Sequence, residues 1–383
     1  MRVTLIDLWG REGMLHYVAQ LGNHLARLPG VEVTVLLPNG SDVRLFEAAV
    51  RLGFVDVVKD ASPRELVLAP LKLMKLPHFF RTVRRTRPDV IHLNNCHAWY
   101  LFSLPWLQQR YPVVATLHDI SPHPGRDDTW RKRKEIDLLA RRSHHIFVHG
   151  EALKAQLLAR YPGRAADEVT SIPLGDLTLL ARYQTEALEE AHTVLFFGRI
   201  RAYKGLEYLI EAAKRVVRQI PDARFVIAGA GSLAPYRRSL AGETCFEVHN
   251  RYIPDEEVGT LFQRASLVVL PYVEASQSAV IPIAYAFGKP VVTTRVGCLP
   301  AIVEEGRTGL LVPPRDGNSL AKALVTLLSD AGLRRAMGRS AHQKLEAELG
   351  WEGIVSTTLQ VYRAAMRERE ASAASPCPGK DSP

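Results

Sequence analysis

Two cations bracketed by glycines are the strongest chemical signal in the chain. Gly198-Arg199 is followed, five positions after the arginine, by Lys204-Gly205, just beyond a β-like run over 193–197. A guanidinium can grip a phosphate with two parallel N–H bonds, and a lysine adds a compact charge to the same group. Facing a helix N-terminus, the pair would stabilise a departing diphosphate without a metal. The plainer reading is two solvated surface bases.

A second stretch supplies such a helix. Residues 267–293 read as a buried strand (267–270), a small polar turn from Glu274 through Ser276, Gln277 and Ser278, an apolar helix (279–287) and another strand (290–293). A strand that passes through Ser and Gln into a helix leaves backbone N–H groups at the helix start, where the dipole also favours negative charge. An ordinary βαβ unit with nothing bound has the same outline. Gly229-Ala-Gly231 follows a strand over 224–228 and adds another glycine-bearing loop.

The first half opens the same way. A strand over 2–8 leads into Trp9-Gly10-Arg11-Glu12-Gly13-Met14 and an amphipathic helix to about 28, with Leu15, Val18, Ala19, Leu25 and Leu28 at helical spacing. Gly10 and Gly13 either let the loop approach a ligand or cap a turn. Their place after the first strand of an α/β unit favours the ligand. His118-Asp119 ends a further strand over 113–117. His144-His145, His149 and Cys96-His97 invite a metal reading, but no carboxylate or second cysteine lies at ligand spacing, so structural roles and no metal are expected.

These residues need a scaffold of alternating strands and helices, and the chain is long enough to build it twice. Its 383 residues, 47% hydrophobic and 23% charged, suit two globular domains. A polar stretch over 176–192 separates them, giving domains at 1–180 and 181–350, a closing helix at 351–370 and a Ser/Pro-rich disordered tail at 371–383. No apolar run approaches the roughly 20 residues of a membrane-spanning helix. The opening Met1-Arg-Val-Thr runs straight into a strand with no secretory signal, and the four cysteines are scattered, so a cytoplasmic setting is expected.

The formal net charge of +9 is concentrated. Between Arg64 and Arg87 seven Lys/Arg stand against one acid, interleaved with Leu, Met and Phe and broken into short helical pieces by Pro70 and Pro77. Such a segment can lie on an anionic membrane surface, or be a solvated helix whose apolar side packs on the sheet. The basic run at 130–134 reads as a solvated helix face. No nucleic-acid motif accompanies the bases.

In order and spacing these motifs resemble family 4 glycosyltransferases. The resemblance is carried by Gly198-Arg199 with Lys204-Gly205, Gly229-Ala-Gly231, Val269-Leu-Pro-Tyr272, Gly288-Lys-Pro-Val-Val292 and Gly309-Leu-Leu-Val312. Thr116-Leu-His-Asp119 and Ile172-Pro-Leu-Gly175 are weaker landmarks. It implies a GT-B α/β architecture, two Rossmann-like domains facing each other across a cleft, with the last helix crossing back to the first domain. It also implies a retaining, metal-independent hexosyltransferase that takes a nucleotide diphosphate sugar as donor substrate and needs no other cofactor. By position, Arg199 and Lys204 would hold the diphosphate, with Gly229, Ser276, Gln277 and Ser278 around the donor. His118 and Glu274 would lie near the transferred sugar, and Gly13 in the acceptor-side or phosphate-side loop. His118 is the poorer choice of base, because in retaining members the leaving phosphate is thought to take the acceptor proton.

The sequence departs from the family at the polar turn. The family carries two glutamates there, eight positions apart, and they would fall at Ala275 and Ile283. Glu274 can replace the first through a one-residue shift. Ile283 cannot accept from a ribose hydroxyl. Two functions follow as expectations. One is a cytoplasmic enzyme, peripheral on the inner face of the plasma membrane, that builds cell-surface polysaccharide on a glycan or lipid-linked acceptor. The other is a non-catalytic nucleotide-sugar-binding partner or regulatory subunit, with an epimerase or similar GT-B enzyme as a further alternative.

Overall fold

Runs such as Val113–Leu117 and Leu267–Leu270, apolar but for Thr116, become strands buried along their whole length, as parallel strands covered on both faces must be. This computed structural model describes residues 1–57, 74–121, 130–183 and 186–374. They divide into two compact units, Met1–Pro173 with Trp351 onward, and Leu174–Gly350.

In the first unit seven parallel strands lie in the order β3-β2-β1-β4-β5-β6-β7. They are β1 (Arg2–Ile6), β2 (Glu32–Pro38), β3 (Arg51–Val55), β4 (Val90–Leu93), β5 (Val113–Leu117), β6 (His145–His149) and β7 (Val169–Ile172). The second unit has six, in the order β10-β9-β8-β11-β12-β13. These are β8 (Thr193–Phe197), β9 (Arg224–Ala228), β10 (Phe246–His249), β11 (Leu267–Leu270), β12 (Val291–Thr294) and β13 (Gly309–Val312). Each order is Rossmann-like and reverses beside its first strand, between β1 and β4 and between β8 and β11. Ligands of open α/β sheets bind at the carboxyl ends of the strands flanking such a reversal.

The domain boundary falls earlier than 180. Leu177 and Leu180 are buried in the core of the second unit with Val258, Phe262 and Ile281, so residues 174–180 belong there. The final helix, Trp351–Ala374, packs into the first unit, burying Trp351, Ile354, Val355 and Tyr362. Tyr362 Oη is 2.6 Å from His92 Nδ1 on β4. The helix also corrects the expected tail, since 371–374 are helical. Residues 375–383 lie outside the described residues. Of the basic segment, Leu76–Thr86 is a helix with Pro77 in its first turn, and Arg64 and Lys72 fall outside the described residues.

The stretch after 185 is anchored by charge. Glu189 accepts from Lys289 Nζ at 2.9 Å and from Arg334 at 3.2 Å, and those two cationic side chains are only 10% and 7% exposed. Burial pushes the Glu189 carboxyl up, but the bonds and charges of Lys289 and Arg334 outweigh it and hold the group below its ordinary value. Glu189→Ala takes the carboxylate from nearly buried Lys289, while Arg334 keeps Leu327 O and Leu328 O, and destabilises the second unit by about 2 kcal/mol, between the values for exposed and buried pairs. A depressed carboxylate stabilises above its unfolded pKa and loses that contribution as pH falls through the folded one. The thermal-midpoint gap between the variant and the wild type therefore closes in acid, below about pH 4. A gap that persists there assigns the loss to packing.

Candidate active site

In the second unit the loops after β8, β9 and β11 converge at the strand reversal. Gly198 N donates to Ala228 O at 2.9 Å and Ile200 N to Ala230 O at 2.9 Å, which joins the loop after β8 to the one after β9. Gly229 has φ +151, and a Cβ there would stand 1.9 Å from Gly198 O. That glycine therefore serves this close approach of two backbones, whatever else it meets.

The loop after β8 is joined to the turn after β11 in the same manner. Val273 N donates to Tyr203 O at 2.8 Å, and Gly205, at φ +68, passes so close to Pro271 that a Cβ would lie 1.9 Å from its carbonyl oxygen. The join places Lys204 Nζ 3.6 Å from the centroid of the Tyr272 ring. A cation over a buried aromatic face is held by the ring quadrupole. Burial keeps the Tyr272 phenol neutral by raising it well above its ordinary value, and its hydroxyl lies 3.2 Å from Ser278 Oγ. Tyr272 was not among the expected site residues; only its place in Val269-Leu-Pro-Tyr272 hinted at it. Arg199 is exposed on the same loop as Lys204.

The polar turn divides into committed and uncommitted groups. Ser278, which precedes the N-cap Ala279 of the seven-residue helix Val280–Ala286, is buried and accepts from Val280 N at 3.3 Å, so it occupies one of the donors expected to be open there. Ser276 O accepts from Cys298 N at 3.1 Å. Glu274 is exposed, and Gln277 Oε1 is buried with no hydrogen-bond partner among the described residues. Ala275 and Ile283 are both in the core, 7% and 4% exposed. Ile283 thus has a packing role where a ribose acceptor was expected by resemblance.

In the first unit the corresponding edge carries Asp7, Asn94, Asn95 and His118. Asp7 is fully buried and accepts from Trp9 N at 2.8 Å, from Gly10 N at 3.2 Å and from Asn95 Nδ2. Burial raises its carboxyl despite these donors. Asp7 therefore holds the loop that leads to Gly13, and nothing in the sequence reading marked it. Gly13 lies in the first turn of the helix Glu12–Ala26, with open space where a Cβ would point. His118 Nε2 is 2.9 Å from Asn94 O and its Nδ1 is 3.1 Å from His149 Nε2, so both nitrogens are engaged. Burial pulls the ring down to about 4, which leaves it neutral at pH 7. Of the paired histidines, His144 Nδ1 accepts from Val113 N at 3.0 Å, and His145 Nε2 meets Thr170 Oγ1 at 2.8 Å.

Two Rossmann-like units, the second with cations and glycine loops at its strand reversal, are what a GT-B transferase is built from. Residues 11–175 match the family described as Glycosyltransferase Family 4, and residues 191–330 the one described as Glycosyl transferases group 1. The chain is 28% identical over 395 residues to D-inositol 3-phosphate glycosyltransferase of Corynebacterium aurimucosum, across 92% of this chain and 91% of that one. Sucrose-phosphate synthase of Thermosynechococcus elongatus has the same fold, with TM-score 0.74 and 23% identity over 96% of this chain and 100% of that one. So does HepE of Anabaena, solved with UDP and glucose, at TM-score 0.72 and 18% identity over 95% and 100%. The chain belongs to the family 4 glycosyltransferases and is a glycosyltransferase of the GT-B fold.

Proposed function

We propose that this glycosyltransferase moves a sugar from a nucleotide diphosphate sugar to a glycan or lipid-linked acceptor in polysaccharide biosynthesis, with retention and without a metal. The observation that carries the reading is the seating of Lys204 over Tyr272, on a loop shared with Arg199, where the strand order of the second unit reverses. Two cations there take up the charge of a departing diphosphate, the task a metal performs elsewhere. The UDP and glucose bound to HepE support a uridine nucleotide as the first donor to try. Glu274 and Gln277 are assigned to the donor sugar, and His118 and the Gly13 loop to substrate contacts of the first unit. Thermal stabilisation against a panel of nucleotide sugars identifies the donor, because a ligand stabilises the fold that binds it. Release of nucleotide diphosphate in the presence of chelator then tests the chemistry. Binding with no turnover across donors and acceptors would favour a non-catalytic partner, a reading that the apolar Ile283 also supports.

We further assign the acceptor side to an anionic membrane surface. Among the described residues no helix is long and apolar enough to cross a membrane. The helix Leu76–Thr86 has no acid and exposes Arg81, Arg84 and Arg85. Each such charge contributes about 1 kcal/mol at an anionic lipid surface. The triple replacement of Arg81, Arg84 and Arg85 by Ala is expected to abolish flotation with vesicles containing anionic lipid. Unchanged flotation removes this assignment.

A further inference from the structure

The register of the first sheet sets two histidines side by side. Leu117 pairs with Val148 across β5 and β6, so the residues that follow, His118 and His149, are neighbours at the carboxyl edge. They form a row with a carbonyl at each end. Asn94 O lies 2.9 Å from His118 Nε2, His118 Nδ1 lies 3.1 Å from His149 Nε2, and His149 Nδ1 lies 3.3 Å from Pro173 O. Carbonyl oxygens only accept, and two neutral imidazoles bring two N–H groups to three gaps. One gap must go without a proton.

The distances select which. An empty first gap would press a ring lone pair onto Asn94 O at the shortest contact. An empty middle gap would oppose two ring lone pairs at 3.1 Å. The Pro173 contact is the longest and weakest of the three, even with the Ile172 backbone as a further partner of His149, and its loss leaves both rings as Nε2–H with bonds running from His149 to His118 to Asn94 O. A third proton would fill every gap, but it must charge rings that are only 8% and 3% exposed. Burial pulls His118 down to about 4 and His149 to about 3. Asp119 favours the charge on both rings, whereas Lys132 opposes it on His118. Neutral His92 lies close by. Tyr17 stands edge-on to the two rings, at 4.9 and 5.3 Å, and keeps them from rotating.

We propose that His149 is a positioning residue that fixes His118 as the Nε2–H tautomer, so that His118 meets a sugar hydroxyl as a hydrogen-bond donor and not as a base. The inference rests on the reading of His118 as a substrate contact. With Nδ1 filled by the His149 N–H, the group His118 can offer is the Nε2–H that rests on Asn94 O. A hydroxyl oxygen that takes the place of that carbonyl exchanges one neutral acceptor for another. His149 was expected to be structural, and nothing in the sequence pairs it with a residue 31 positions away.

Long-range proton–nitrogen spectra of the full chain labelled with nitrogen-15 histidine read the tautomer without substrate. At neutral pH both rings are expected to show a protonated Nε2 and a bare Nδ1. A protonated Nδ1 on His118, or a doubly protonated ring, overturns the proposal. Two variants test the consequence. His149→Leu cannot donate and lowers kcat/KM by about 10-fold or more, the usual loss for a group that orients another. His149→Gln can donate its amide N–H to Nδ1 and restores most of the activity. Equal losses in both variants, or none in either, overturn the positioning role. If His118→Ala leaves turnover intact, the parent reading fails instead, and the spectra still decide the tautomer.

Discussion

Lys204→Ala lowers kcat by about 100-fold or more, with a much smaller change in KM. The size follows from removing one preorganised charge aimed at a developing anion. The split follows from timing. Breaking the bond to the sugar places new charge on the leaving diphosphate, so a cation held in place favours the transition state over the bound donor. Lys204 meets the requirement of being held, since its Nζ sits 3.6 Å from the Tyr272 ring centroid on a loop whose Tyr203 carbonyl accepts from Val273 N. Steady-state kinetics with the donor that stabilises the protein checks the result. Unchanged kcat would take Lys204 out of the chemistry, and a rise in KM alone would make it a ground-state contact.

Gly205→Ala is expected to cost about 3 kcal/mol and to remove most of the turnover with it, because two penalties coincide there. The residue has φ +68, which a side chain tolerates poorly, and the new Cβ would overlap the Pro271 carbonyl at 1.9 Å. The neighbour is backbone, so no rotamer change relieves the contact. Either the loop after β8 or the turn after β11 must move, and in both cases Lys204 leaves the face of Tyr272. Gly163→Ala is the matched control, since a Cβ there meets nothing within 4 Å. Chemical denaturation and turnover, measured on both variants, separate the two cases. A Gly205→Ala chain as stable and active as wild type would mean that the two loops are not held at this distance in solution.

In the second unit a strand such as Leu267–Leu270 was legible because its apolar run is short, unbroken and stopped by Pro271. Strand β3 was not: Arg51-Leu-Gly-Phe-Val55 contains a glycine, lies at the sheet edge and leaves most of its residues partly exposed, so it lacks both the alternation and the apolar density that mark a strand. Edge strand β7, Val169–Ile172, was passed over for the same reason. At the candidate site, the residues carrying charge or glycine could be found from motif order. Their partners could not, because backbone brings them together: Tyr272 under Lys204, Asp7 under the Gly10 loop, His149 against His118. Periodicity records which face a residue occupies and holds no information on what crosses from the next strand. Ser278 has the right type for a ligand contact and also bonds Val280 N and Tyr272, partners that only the fold shows.

The first unit is interrupted in sequence, and this has a consequence for its synthesis. Trp351, Ile354, Val355 and Tyr362 fill its core, but they are translated after all of 174–350. On the ribosome the amino-terminal sheet therefore emerges with the surface around His92 and Tyr17 still uncovered, while the contiguous second unit can complete its own core first. Domains generally fold as units as they are made, and uncovered apolar surface is where nascent chains associate wrongly. The helix Trp351–Ala374 thus arrives after the whole of the second unit and closes the first.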